Sequence, residues 1–581
     1  MTLSAFCIRE IIPIFGAGRQ VPPLSNIGVM IKRISYILVA AALCAAVAVS
    51  CRSGKKNEVK PTKNLIVMIT DGTSGGLLSL TRWYKQYLDP QDDLSSLAID
   101  PYICGLLRTF CSDSPIAESS GSMSQYMTGV LQQGRNISVY PMAHPEQDLV
   151  PIDPSRQWQP QATLLEAGKI LQHKSVGVVA TCYMHHATPA ATSSHSVERS
   201  AAYDITRQMA SQGLDVCFAG GTRYVDSDVQ KILADNGIAY YNHDINAFRA
   251  HKEGKVWAIF NPSHMMYEID RTDDEPSLTE MTTKAIELLS KNKNGFFLMV
   301  EGSKVDMAAH AKDPIGTVTE FIEFNNAVQA AIDFAKKDGN TTVVVVPDHG
   351  TSGIQMGDAN YRDYTKKGLD SMFINFKNYR ASGVKLDSMI RRRDMEQVAP
   401  LFKEWTGIEL SDRELDAIRA HKNKTASNYM NVSLEPSLSA QINKILTDHT
   451  HIGFVSGNHT GEDVFYAIYN PNGQHPTALI KNIDLNRYMR DVMGLPEPLE
   501  QLSDELFVKH TDLFAEGTFR TAEGEDGPEL QVTVGTKSLR IPSNRSFVYV
   551  DGNRKELASV VPYIRETGTF YCPKDILKLV Q

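Results

Sequence analysis

Four apolar runs in this chain each end on residues that can bind a metal ion, and this arrangement restricts the fold more than any other feature. Leu65 to Ile69 leads into Asp71, Val176 to Ala180 leads towards His186 and Thr188, Phe296 to Val300 leads into Glu301, and Val343 to Val346 leads into Asp348 and His349. In open parallel sheets, ligands bind in the crevice beyond the carboxyl ends of the strands. Polar residues at four such ends therefore predict one assembled site. That site is rich in carboxylate and imidazole and poor in thiolate, which suits Zn2+ together with a harder ion such as Mg2+.

At 581 residues the chain exceeds what one hydrophobic core usually supports, so it reads as one large domain with insertions or as two domains. Helical patterns over 163–173, 200–212 and 279–291 alternate with the apolar runs between residues 64 and 350. That alternation predicts an α/β fold, a three-layer α/β/α sandwich around a largely parallel central sheet. The texture changes between 361 and 448 to charged, mostly helical sequence, read as an insertion that emerges near the site. Its Arg391-Arg392-Arg393 triplet reads as a solvated helix face. The core resumes at Gly457 and the strand-like Val464 to Tyr469, giving a catalytic domain over about 60–500. A polar linker or loop at 523–528 precedes a small β-containing appendage over 530–581, in which no catalytic cluster occurs. The net charge of -8, with basic residues interspersed among acids, gives no support for nucleic-acid binding.

Compartment is written at the amino end. Met30-Ile31-Lys32-Arg33, the apolar stretch Ile37 to Val49 and Ser50-Cys51 supply the charged head, short apolar core and small-residue end of an export signal. The apolar stretch is shorter than the ~20 residues a membrane-spanning helix needs. The segment 1–51 resembles a bacterial lipoprotein signal with an upstream extension. The resemblance makes Cys51 the lipidated residue that anchors the protein to the membrane, in the periplasm or cell envelope. The remaining thiols, Cys104, Cys111, Cys182, Cys217 and Cys572, form neither a disulfide framework nor a CxxC pair. Cys104 and Cys111 either bridge or remain as two strand thiols.

Asp306 and His310 follow the Glu301 run four residues apart, so on a helix they share one face and can bind a single ion. Ser119, in Glu118-Ser119-Ser120-Gly121-Ser122, precedes a helical pattern that ends at Thr128-Gly129. A serine there is most often an N-cap, yet the same place offers free N–H groups and a positive dipole end to a phosphate. Zinc beside its hydroxyl would let it ionise near neutral pH and act as a nucleophile. Arg199, four residues beyond His195, can grip two phosphate oxygens at once.

Taken in order, Asp71-Gly72, Ser119-Ser120-Gly121-Ser122, His186-Ala187-Thr188-Pro189-Ala190 with Arg199, Glu301-Gly302 with Asp306 and His310, Asp348-His349 and His459-Thr460-Gly461 resemble the alkaline phosphatase family. The likeness runs from about Asn64 to Tyr488. It implies one zinc held by Asp306, His310 and His459 and a second held by Asp71, Asp348 and His349, with Ser119 beside it. A magnesium would share Asp71 and take Thr188 and Glu301, with His186 nearby, directly or through water. Arg199 would hold the non-transferring oxygens while Ser119 attacks a phosphate monoester, forms a phosphoserine and releases inorganic phosphate on hydrolysis. Homodimerisation is a further family expectation. The motif also favours His459 over His449 and His451.

Three residues depart from the family pattern: Glu118 where Asp usually precedes the nucleophile, Thr351 where a second histidine often follows the Asp-His pair, and Met307 after Asp306. Two other functions compete. A phosphodiesterase or sulfatase on the same metal core is disfavoured, because Thr188, Glu301 and Arg199 complete the monoesterase set and no Cys-x-Pro-x-Arg occurs. A silent phosphate- or metal-binding lipoprotein is disfavoured by the complete ligand set with Ser119.

Overall fold

All four apolar runs become neighbouring strands of one sheet. The computed structural model describes residues 59–91, 96–495, 498–525 and 527–580. The export segment and the Cys51 anchor expected from the sequence lie outside them. In chain order the large sheet contains β1 (Asn64–Thr70), β2 (Ile103–Arg108), β3 (Ser175–Tyr183), β4 (Val216–Gly220), β5 (Ile238–Asn242), β6 (Lys255–Ile259), β7 (Phe296–Gly302), β8 (Thr341–Val346), β9 (Val464–Tyr469) and β10 (Ala478–Lys481). Across the sheet they run β10-β2-β9-β8-β1-β7-β3-β4-β6-β5. Every pairing is parallel except the two made by β9, which lies antiparallel between β2 and β8. This is the expected largely parallel α/β sheet.

Side-chain alternation explains why the central strands are apolar throughout. Ile66, Met68, Leu298, Val300, Val343 and Val345 enter the core on one face of the sheet. Leu65, Val67, Ile69, Phe297, Met299, Val344 and Val346 enter the core on the other. A parallel strand covered on both faces has no solvent side to mark with polar residues. Helices Gly75–Leu88, Leu278–Leu289 and Pro314–Asp338 cover the first face. Helices Ser119–Thr128, Leu164–Gln172, Ala202–Gln212 and Asn482–Met493 cover the second. We label Ser119–Thr128 α1 and the short helix Lys304–His310, directly after β7, α2.

The charged segment 361–448 folds into helices Asp370–Phe376, Gly383–Arg391, Met395–Thr406, Asp412–His421 and Leu438–Asp448. Their apolar sides, through Phe373, Leu386, Phe402 and Ile442, join the core on the first face. The insertion is also bolted to the end of α2. Ser433 Oγ donates to His310 O at 2.6 Å, Asn443 Nδ2 donates to Ala311 O at 2.8 Å, and the Gly383 N–H donates to Asp313 Oδ2 at 2.7 Å. Arg391 of the basic triplet is a clasp rather than a solvated side chain: it pairs with Asp387 and donates to the carbonyls of Lys422 and Lys424.

A five-stranded antiparallel meander, Phe519–Gly524, Gly527–Val534, Lys537–Pro542, Phe547–Val550 and Asn553–Glu556, starts ahead of the boundary expected at 530. The polar stretch at 523–528 is a hairpin end, since Gly524 pairs with Gly527 across it. This β unit has its own core around Leu530, Leu539, Val548 and Phe570. It docks on the catalytic part through Arg545, whose buried guanidinium donates to Asp228 Oδ2 at 2.7 Å. Arg545→Ala is expected to lower stability by about 2 kcal/mol, read as a lower denaturant midpoint. The change removes one member of a buried ion pair but leaves Arg207 on Asp228. All five described cysteines are free, so Cys104 and Cys111 do not bridge.

Candidate active site

Strand ends and helix starts bring the expected residues together beyond the carboxyl edge of the sheet. Asp71 follows β1, Glu301 lies near the end of β7 opposite Ile69 of β1 and Ala180 of β3, and Asp348 and His349 follow β8. Asp306 and His310 share one face of α2. His459 arrives on a two-residue strand, His459–Thr460, paired with Gly350–Thr351. The loop after β1 passes so close to α2 that only glycine fits at position 72. Gly72 has φ of +62°, and a Cβ there would lie 2.3 Å from Asp306 Oδ1.

Two donor sets share Asp306. Ligand atoms of Asp306, His310 and His459 lie within 4.8 Å of one another, as do those of Asp71, Asp306 and His349. Asp348 joins the second set, with Oδ2 3.3 Å from His349 Nε2. A third set, Cys182, His186 and Glu301, meets the same criterion. The histidine rings are held from behind. His310 Nδ1 donates to Gly457 O at 2.7 Å, His459 Nδ1 to Ala117 O at 2.9 Å, and His349 Nδ1 to Gly350 O at 3.3 Å. A ring that donates from Nδ1 presents the Nε2 lone pair, the form in which a neutral imidazole binds a metal. His449 and His451 face Glu414 and Asp358 instead.

Ser119 is the first residue of α1, and the preceding residue, Glu118, caps the helix by accepting from the Gly121 N–H. The N-cap role open to Ser119 thus falls to Glu118, and the serine hydroxyl lies 3.1 Å from His349 Nε2. Glu118 also accepts from Ser120 and from the Arg135 N–H, and it pairs with Arg199. Burial pushes its carboxyl up, but the Arg199 guanidinium and these hydrogen bonds bring it down to about 2. A longer acid in place of the family's aspartate therefore still tethers the arginine. Thr351, the second departure, donates to Asp306 Oδ1 at 2.6 Å, and Met307, the third, packs in the core. His195 is held by Glu166 and Ser138 O in the interior, apart from the site.

The buried polar atoms test whether this site fits metal ions. Asp71 Oδ1 and Oδ2, Thr188 Oγ1, Glu301 Oε1, His310 Nε2 and Asp348 Oδ2 have no hydrogen-bond partner. Unpaired buried polar groups cost free energy unless something satisfies them, and the acids and His310 among these belong to the donor sets above. Burial, together with Asp348, Asp306 and Glu301, raises the Asp71 carboxyl well above its ordinary range. Burial likewise raises Asp348 and Glu301. Burial alone would raise Asp306 too, yet His310, His459 and His349 hold it below the usual range. Acids this crowded, whose ionised forms repel one another in a buried site, fit divalent cations.

Sequence reasoning missed three contributors. Cys182 Sγ lies 3.4 Å from Glu301 Oε2, and Tyr429 Oη lies 2.9 Å from His186 Nε2. Cys182 was visible at the end of an apolar run leading to the site, but nothing local in Asn428-Tyr429-Met430 marks Tyr429. Thr351 was noticed only as a missing histidine.

Fold and site together describe a metal-dependent phosphoryl-transfer enzyme. The chain belongs to the alkaline phosphatase family, whose model matches residues 62–495, and is a phosphomonoesterase. Alkaline phosphatase 3 of Bacillus subtilis is 29% identical over 447 residues, covering 75% of this chain and 90% of the relative. The cold-active alkaline phosphatase of a Shewanella species superposes with a TM-score of 0.64 at 22% identity, over 74% of this chain and 99% of its own. The Thermus thermophilus enzyme gives 0.64 at 23%, over 76% and 93%.

Proposed function

We propose that this protein is an exported, lipid-anchored alkaline phosphatase that hydrolyses phosphate monoesters through a phosphoserine at Ser119. The observation that carries the reading is the Ser119 hydroxyl, uncommitted to its own helix and 3.1 Å from His349 Nε2, a nitrogen that also neighbours the unpaired carboxylates of Asp71 and Asp348. Asp306, His310 and His459 would hold one zinc, and Asp71, Asp348 and His349 a second. Asp71, Thr188 and Glu301 offer oxygens alone to a third ion and suit Mg2+, with His186 beside them. When bound, these cations would supply positive charge to the entering and leaving oxygens of an in-line displacement and favour the ionised serine.

The chain's own residues do the rest. Arg199 binds two non-transferring phosphoryl oxygens, and Glu118 aims it. Free N–H groups at the start of α1 face the anion with the positive end of the helix dipole. Ser119 Oγ forms a bond to phosphorus as the ester oxygen departs. Water then attacks the phosphoserine, and inorganic phosphate leaves as the serine oxygen is restored. Export and the Cys51 anchor are supported by the charged, apolar and small-residue order of 30–51.

Purified protein assayed on matched phosphate monoester, phosphate diester and sulfate ester substrates, with and without a chelator, tests this reading. Monoester turnover abolished by chelation is the expected result. Turnover confined to diesters or sulfate esters would overturn it, as would inactivity in protein shown to carry bound metal.

A further inference from the structure

The insertion does more than cover the core, because it reaches into the phosphoryl pocket with one side chain. Tyr429 sits on a single 3-10 turn, Tyr429–Asn431, whose start is capped by Asn428. Four residues on, Ser433 fastens the same segment to the last carbonyl of α2. The phenol ring is boxed in by His264, His310 and His186, with centroids 5.6, 6.1 and 6.2 Å away. That box leaves the hydroxyl pointing at His186 Nε2, 2.9 Å distant. The same ring nitrogen receives Arg199 Nη2 at 3.4 Å, while the other guanidinium amine is committed to Glu118.

We propose that Tyr429 is a positioning residue for phosphate recognition: its hydroxyl fixes the His186 ring, and that ring holds the free amine of Arg199 ready for the phosphoryl group. The hydrogen-bond chemistry sets the direction of the chain of contacts. A guanidinium only donates, so His186 Nε2 must present its lone pair, and the phenol is the second donor to it. The ring's proton is then on Nδ1, which is buried and has no protein partner. Tyr183 and His264 pack edge-on against the ring, but without the phenol donor the long contact from Arg199 would be the one hydrogen bond left to that nitrogen among the described residues. The guanidinium would then meet phosphate with one of its two amines no longer set. An arginine that must be oriented on binding loses part of the advantage of its rigid fork.

This inference rests on the phosphomonoesterase reading for its kinetic arm but not for its binding arm. Tyr429→Phe keeps the boxed ring and removes only the oxygen. In metal-loaded protein, the variant is expected to raise KM for p-nitrophenyl phosphate and the inhibition constant of inorganic phosphate together, about five- to ten-fold. Turnover at saturation should stay within about two-fold, and the thermal midpoint should not move. Calorimetric titration with inorganic phosphate should show the same weakening. His186→Ala should weaken phosphate similarly, and the double variant should be no worse than His186→Ala alone. Unchanged KM and phosphate affinity in Tyr429→Phe would overturn the proposal, as would losses that simply add in the double variant. A wild-type protein that turns over no monoester sinks the functional reading instead, and phosphate calorimetry still decides the role of Tyr429.

Discussion

Ser119→Ala is expected to abolish monoester turnover, lowering kcat by about 10^4-fold or more while leaving phosphate affinity within a few-fold. The asymmetry follows from what the hydroxyl does not do. It caps no helix, because Glu118 takes that place, and it is 98% shielded by the elements that build the pocket, with 2% of its surface exposed. Removing it therefore deletes the atom that bonds to phosphorus and leaves Arg199, Glu118 and the helix start undisturbed. Steady-state kinetics and phosphate calorimetry on the same preparation give both numbers. Acid quenching of wild-type protein during turnover, followed by peptide mass spectrometry, should place the phosphoryl group on Ser119. A variant that keeps a tenth of wild-type activity would put the nucleophile elsewhere.

Stripping the divalent ions should have the next largest effect, and it should reach stability as well as activity. Asp71, Asp348, Glu301 and Asp306 are buried together, and the first three are raised above the usual carboxylate range, by burial first. In metal-free protein these raised groups stay protonated in the fold at pH values where the unfolded chain has already released its protons. Their contribution is therefore fully present below the unfolded range near pH 4 and is lost as pH rises through their folded values. Asp306, held low, is ionised in both states over that interval and does not alter the slope. The chelated protein should thus unfold at a lower temperature than the loaded one, with the gap widening from about pH 5 to pH 8. Bound cations stabilise only the fold, so restoring them should close it. Scanning calorimetry across that range checks the trend, and a gap that narrows as pH rises would contradict it.

Reading the chain alone was enough for the central sheet because parallel strands buried on both faces write themselves as unbroken apolar runs. Asp71, Glu301, Asp348 and His349 were legible for the same reason: each stands where such a run stops. Asp306 and His310 were legible from helical spacing. The antiparallel turn of β9 was not, since Val464 to Tyr469 has the same composition as its parallel neighbours and direction leaves no mark in a doubly buried strand. Tyr429 was hidden for a different reason. Its place depends on how the insertion returns to α2, through Ser433 and Asn443, and such long-range closure carries no periodic signal. Thr351 shows the limit of motif reading: a position that reads as a lost histidine proves to steady the carboxylate that two of the donor sets share.

Glu118 ties two tasks to one carboxylate, since it starts the helix that bears the nucleophile and also steers the guanidinium that greets the anion. Neither task can be retuned by itself at that position. A lineage or an engineer seeking a different anion grip must change Arg199 or its other neighbours, because removing this carboxylate would uncap the serine's helix in the same stroke.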